Sequence, residues 1–172
     1  RLVEKGRVTE EESKGTLNRL TYTTSLNDFA DCDLIIEAIV ENLDIKKSVF
    51  SKLEEVTNGK AILASNTSSL SIASIGSAVK NPEKVVGIHF FNPAPLMPLV
   101  EIIPAVTSSA EVIAECRELI DSWGKVTVLA KDTPGFIVNR VARPFYGEAV
   151  RLYEEGFADP ATIDWAMTEL GG

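Results

Sequence analysis

The sequence has little histidine, little cysteine and no excess of positive charge. His89 is its single imidazole, and Cys32 and Cys116 are its two thiols, far apart in 172 residues. That spacing fits neither a metal site nor a redox motif, so both cysteines are expected to be reduced and mostly buried. Seventeen lysines and arginines stand against 25 aspartates and glutamates, a formal charge of -8. With no basic stripe, general affinity for nucleic acid or for an anionic membrane is excluded as a function class. No apolar run approaches the roughly 20 residues of a membrane-spanning helix. The eleven glycines are scattered, and nowhere do they form G-x-G-x-x-G, the turn that lets a backbone close on a pyrophosphate. The polar opening "RLVEKGRVTEEE" has no signal-peptide pattern, so a cytoplasmic or organelle-matrix protein is expected.

What is present is an alternation of buried strands and amphipathic helices. "CDLIIEAIV" (32–40), "AILAS" (61–65), "VVGIHFF" (85–91), "LVEIIPAV" (99–106) and "KVTVLA" (125–130) are the strand candidates, with "LTYTT" (20–24) as a short further one. Pro104 is expected to keep the end of its strand out of a sheet interior. Between strands, Ile45, Val49, Phe50, Leu53 and Val56 share one helical face, with Asn58-Gly59 as the stop. A short helix follows near 70–79. Ser109 can cap a helix with apolar positions Val112, Ile113, Cys116, Leu119, Ile120 and Trp123, ended by Gly124. From "KDTPGF" onward the pattern turns helical, with Thr133 as a cap, Pro134 at the first helical position and Pro144 as a kink. The expected fold is therefore an α/β, mostly parallel sheet over residues 1–132, followed by an all-helical region over 133–172.

Ligands of such sheets bind beyond the carboxyl ends of the strands. The first strand candidate is followed there by Glu41 and Asn42, the second by Asn66, Thr67, Ser68 and Ser69, the third by His89 and Asn92. Each residue has a plain structural explanation. Asn, Ser and Thr after a strand make turns and caps. Glu41 suits a first helical turn, and Lys46 and Lys47 read as surface charge. A lone histidine at a strand end is more often structural than catalytic. Glu101, set in an apolar run, needs exposure or a partner, and His89 is the candidate partner. Such a pair, with the carboxylate fixing the tautomer, supports base-catalysed chemistry beside a bound ligand.

Five stretches, "EAIVENLDIKKSVF", "ASNTSSLSI", "GIHFFNPAP", "LVEII" and "KDTPGFIVNRV", together resemble the 3-hydroxyacyl-CoA dehydrogenases of short-chain, 3-hydroxybutyryl-CoA type. The tail "RLYEEGFADPATIDWAMTELGG" resembles the start of that family's helical dimerisation domain. The resemblance implies a Rossmann-like, doubly wound fold and NAD-linked, reversible oxidation of a 3-hydroxyacyl-CoA, with homodimers in the complete protein. His89 matches the family's catalytic base and Glu101 its paired carboxylate. Ser68 and Asn139 match residues near the substrate's C3 oxygen and the nicotinamide. Ala38, Glu41, Lys46 and Asn92, together with Ser68, match positions lining the cofactor. Departures from the family pattern are as informative. The glycine-rich turn, the acidic residue for the adenosine ribose and most of the helical domain have no counterpart. Pro98 stands where a lysine is expected. The start at Arg1 reads as mid-helix, and the chain is expected to be the central piece of a longer enzyme whose sheet would be left with two bare edges. A non-catalytic assembly module, and a dehydrogenase of free hydroxy acids, are the alternatives.

Overall fold

The computed structural model describes residues 3–171. Arg1 and Leu2, where a mid-helix start is expected, lie outside the described residues. Five strands form one sheet in the order β1-β2-β3-β4-β5: β1 (Leu34–Glu37), β2 (Ile62–Ser65), β3 (Val85–Phe90), β4 (Leu99–Pro104) and β5 (Val126–Leu129). β1, β2 and β3 are parallel; β4 is antiparallel to β3 and parallel to β5. The helices are α1 (Glu10–Leu17), α2 (Leu43–Val56), α3 (Ile72–Gly76), α4 (Ala110–Ser122), α5 (Val138–Glu154) and α6 (Pro160–Glu169).

Alternation along the inner strands gives two cores, one on each face of the sheet. Ile35, Leu63, Val85 and Ile103 pack with Phe50 and Leu53 of α2 and with Ile72 and Ile75 of α3. Ile62, Ala64, Val86, Ile88, Val100 and Ile102 pack with Val112, Cys116 and Ile120 of α4. Helices on both faces make the sheet doubly wound, as the family resemblance implied. Gly87 is required in β3: a Cβ there would lie 2.8 Å from Ile103 Cβ and 2.9 Å from the tip of Ile72. Burial pushes the Cys116 thiol up to about 12, with Glu115 adding to the shift.

Several expectations are corrected. "LTYTT" forms no strand, and Leu20 and Tyr22 are exposed. Strand propensity is a fit to a pleated, half-buried surface. Here Thr23 instead accepts from the Ser25 amide and donates to Asp28, making a local turn. On α2, Phe50 and Leu53 are buried as the apolar pattern predicts, but Ile45 is exposed and Lys46 and Glu54 are buried against it. On α4, Leu119 and Trp123 are exposed. Pro104, by contrast, behaves as expected: it is the last residue of β4, in register with Val86 on one side but beyond the last β4–β5 pair, Ile102 with Leu129. Thr133 and Pro134 do not begin a helix. Gly135 and Phe136 are both left-handed, with φ of +79° and +46°, and α5 starts only at Val138. A left-handed backbone is uncommon for phenylalanine. Here it carries the buried Phe136 ring into the core that holds Ile103 and Phe50, and against the His89 ring.

α5 and α6 contain no buried residue. Val141, Phe145, Tyr146, Val150, Tyr153 and Trp165 are exposed on them. Among the described residues, no helix is long and apolar enough to cross a membrane.

Candidate active site

The antiparallel join between β3 and β4 sets the site. In that register His89 lies directly opposite Glu101, so both side chains leave the sheet on one face. His89 Nδ1 is 2.7 Å from Glu101 Oε2, and both residues are buried. The other oxygen, Glu101 Oε1, accepts from the backbone N–H groups of Ile137, at 2.8 Å, and Val138, at 3.0 Å. The turn that displaces the start of α5 thus has a use: it aims two amides of the α5 N-terminus at a buried carboxylate. An ionised carboxylate only accepts, so with Glu101 ionised the imidazole proton sits on Nδ1. Nε2 then carries a lone pair, and the Ser68 hydroxyl lies 3.0 Å from it, placed to donate. Phe91 and Phe136 pack edgewise on the ring, at centroid distances of 4.7 and 5.4 Å, and fix its plane.

Ser68 is exposed at the end of β2, so the site is open on the side where Nε2 points. The Ser68 loop is bound to its neighbours on both flanks. Asn66 Oδ1 accepts from the Phe90 amide at 2.8 Å, joining the loop to β3. Glu41 Oε1 accepts from the Thr67 hydroxyl, from the Ser69 hydroxyl at 3.0 Å and from the Ser68 amide at 3.3 Å. Burial acts to raise the Glu41 carboxyl, but donation by Thr67 and Ser69 and the nearby Lys46 cation outweigh it, leaving Glu41 below the ordinary glutamate range.

The structure therefore brings Ser68, His89 and Glu101 into one hydrogen-bonded row. Asn139 stands in the first turn of α5, beside the amides that hold Glu101. Ala38, Glu41 and Asn92 are exposed at the carboxyl ends of β1 and β3, Asn92 preceding a cis bond to Pro93. Lys46 departs from the sequence expectation of surface charge. It is 1% exposed, with Nζ 2.6 Å from Glu37 Oε1 and 3.5 Å from Glu41 Oε2. Sequence reasoning missed Glu37 entirely, hidden inside an apolar strand run. The signal for it is the same one that exposes Glu101: a carboxylate in a buried strand needs a partner.

Comparison with known proteins bears directly on this geometry. Residues 1–133 match the family model described as 3-hydroxyacyl-CoA dehydrogenase, NAD binding domain, and residues 135–172 match that of the 3-hydroxyacyl-CoA dehydrogenase C-terminal domain. The chain is 48% identical to a 3-hydroxyadipyl-CoA dehydrogenase of Escherichia coli K12, over 99% of its own length and 36% of that protein. It is 46% identical to a 3-hydroxybutyryl-CoA dehydrogenase of Clostridioides difficile, over 97% of its length and 59% of that protein. Its structure superposes on the crystal structure of (S)-3-hydroxybutyryl-CoA dehydrogenase from Ralstonia eutropha with a TM-score of 0.93 at 37% identity, covering 99% of this chain and 60% of that one. The chain thus spans only part of the length of the curated relatives it matches, 36% and 59% for these two.

Proposed function

This chain belongs to the 3-hydroxyacyl-CoA dehydrogenase family, and from that premise we propose that the whole protein is an NAD-dependent oxidoreductase interconverting a 3-hydroxyacyl-CoA and the 3-ketoacyl-CoA. The row Ser68, His89, Glu101 is the observation that carries this reading. His89 Nε2 accepts the proton of the substrate's C3 hydroxyl. Glu101, held by the Ile137 and Val138 amides, keeps the reactive tautomer and stabilises the imidazolium that forms. Ser68, and Asn139 from the first turn of α5, supply neutral donors to the oxygen as it becomes a carbonyl.

The open side of the site fits a nicotinamide. Ala38, Glu41, Ser68 and Asn92 are exposed at the strand ends, beside a base whose remaining faces are buried. NAD, when bound, supplies the acceptor for the C3 hydride, and the chain's residues orient it and move the proton. Lys46 serves this shelf by holding Glu41 rather than by facing the ligand. In this proposal residues 1–132 form the part that carries the cofactor, and residues 133–172 begin a helical domain through which the protein forms a cytoplasmic homodimer. The uncovered apolar side chains of α5 and α6 support that last point.

The test is kinetic. The whole protein is expected to oxidise 3-hydroxybutyryl-CoA with NAD, and His89→Gln is expected to lower kcat/KM by about 10²–10⁴-fold, the usual range for a general base. Turnover unchanged in that variant would remove His89 from the mechanism.

A further inference from the structure

Glu37 has no place in the chemistry above, yet it is 5% exposed and both its oxygens are engaged. Oε1 takes the Lys46 ammonium at 2.6 Å, and Oε2 accepts from the Ser65 hydroxyl at 2.7 Å. Oε1 also accepts from the Ile39 amide at 2.5 Å, just past its own strand, whereas the Lys46 and Ser65 contacts both lead to the same loop. Lys46 passes its charge on to Glu41 Oε2, 3.5 Å away, while Glu41 Oε1 holds Thr67, Ser68 and Ser69. Ser65, for its part, accepts from the Thr67 amide at 3.2 Å. A single carboxylate at the end of β1 thus reaches the Ser68 loop by two routes, one through a buried cation and one through a hydroxyl.

We infer that Glu37 is a positioning residue, which sets the place of Ser68, and through it the hydrogen bond to His89 Nε2, by bracing the 65–69 loop from both sides. The asymmetry of the Lys46 contacts carries the reasoning. Glu37 takes the cation closely, so Lys46 stays back from Glu41, and Glu41 keeps one oxygen for the loop. Without the Glu37 charge, a fully buried ammonium has, among the described residues, only Glu41 as an anionic partner and is drawn onto it, pulling Glu41 away from Thr67, Ser68 and Ser69. Glu37 touches no reacting atom in this arrangement.

The role of Glu37 is tied to the proposed base, but its test does not depend on turnover. Amide hydrogen exchange is compared between the whole protein and its Glu37→Gln variant. Exchange at Thr67 and Ser68 is expected to rise at least tenfold, with the amides of β4 unchanged. A uniform loss of protection across the sheet would mean that Glu37 only stabilises the fold, and unchanged exchange at 67–69 would mean that it braces nothing; either overturns the inference. If Glu37→Gln does not fold, the two routes are opened singly with Ser65→Ala and Lys46→Met. Each is expected to raise exchange at Thr67 and Ser68 while sparing β4, and no change in both would be equally fatal. Where the protein turns over a 3-hydroxyacyl-CoA, kcat should fall about tenfold or more in Glu37→Gln. If no substrate is turned over, the proposed function fails while the exchange result still decides the role of Glu37.

Discussion

The sheet and the two C-terminal helices solve the same problem in opposite ways. Around the sheet, apolar side chains from α2, α3 and α4 close two cores, and even the charged groups inside, Glu37, Lys46, Glu54 and Glu101, have partners. α5 and α6 bury nothing, and α5 is tied to the sheet at its first turn, where Ile137 and Val138 donate to Glu101. What this teaches is where the site draws its rigidity. His89 is fixed by the sheet region, and the helical region reaches the site through the two amides that hold Glu101 and through Asn139 beside them. Glu101 is the hinge of the comparison, because its two oxygens face the two regions.

The largest expected effect is accordingly at that position. Glu101→Gln keeps the shape but offers His89 Nδ1 a donor, which favours the wrong tautomer. By analogy with the buried aspartate of the serine-protease triad, kcat should fall by about 10⁴-fold with the fold intact by circular dichroism. A loss under tenfold would detach Glu101 from the base. Next comes the core. Phe50→Ala empties a fully buried position in α2 and should cost about 3–5 kcal/mol in denaturant unfolding. A cost near zero would mean the α2 face is not the packed side. Smaller again is Glu54, whose carboxylate accepts from the Lys80 and Asn81 amides. Burial acts to raise it, but those donors prevail and hold it below the ordinary glutamate range. Glu54→Gln should therefore cost about 1–3 kcal/mol near neutrality. A depressed folded-state value means that this contribution is present above about pH 4.3 and fades as pH falls through the folded value. A deficit that grew on acidification would reverse the sign. The smallest effect belongs to the helices. In the 172-residue chain, Phe145→Ser on α5 should change unfolding free energy by less than about 0.5 kcal/mol. A loss above about 2 kcal/mol would show that the α5 face is covered after all, and the contrast between the regions would fall.

Much of this was legible in the sequence for a physical reason. Buried strands show as apolar runs, and parallel topology brings the loops at their carboxyl ends to one edge, so Ser68 and His89 could be placed together before any coordinates. Glu101 announced itself as a charge where charge is costly. The two missed features share one cause. Lys46 and Glu37 neutralise each other across nine residues, and a helical wheel that sorts charges outward cannot see a pair that is buried by mutual compensation. The late start of α5 was illegible because Thr133 and Pro134 make a sound local start. What decides is the left-handed pair Gly135 and Phe136, which seats Phe136 against the imidazole. "LTYTT" failed for the opposite reason, having strand residues with no strand beside them.

The most direct measurement is nitrogen–proton NMR of the His89 imidazole in the whole protein, at a pH where the ring is neutral. A proton resident on Nδ1, held by Glu101, with Nε2 bare and facing Ser68, is the expected result. A proton resident on Nε2 would leave no lone pair where the substrate's hydroxyl proton must go, and would contradict the assignment of His89 as the base.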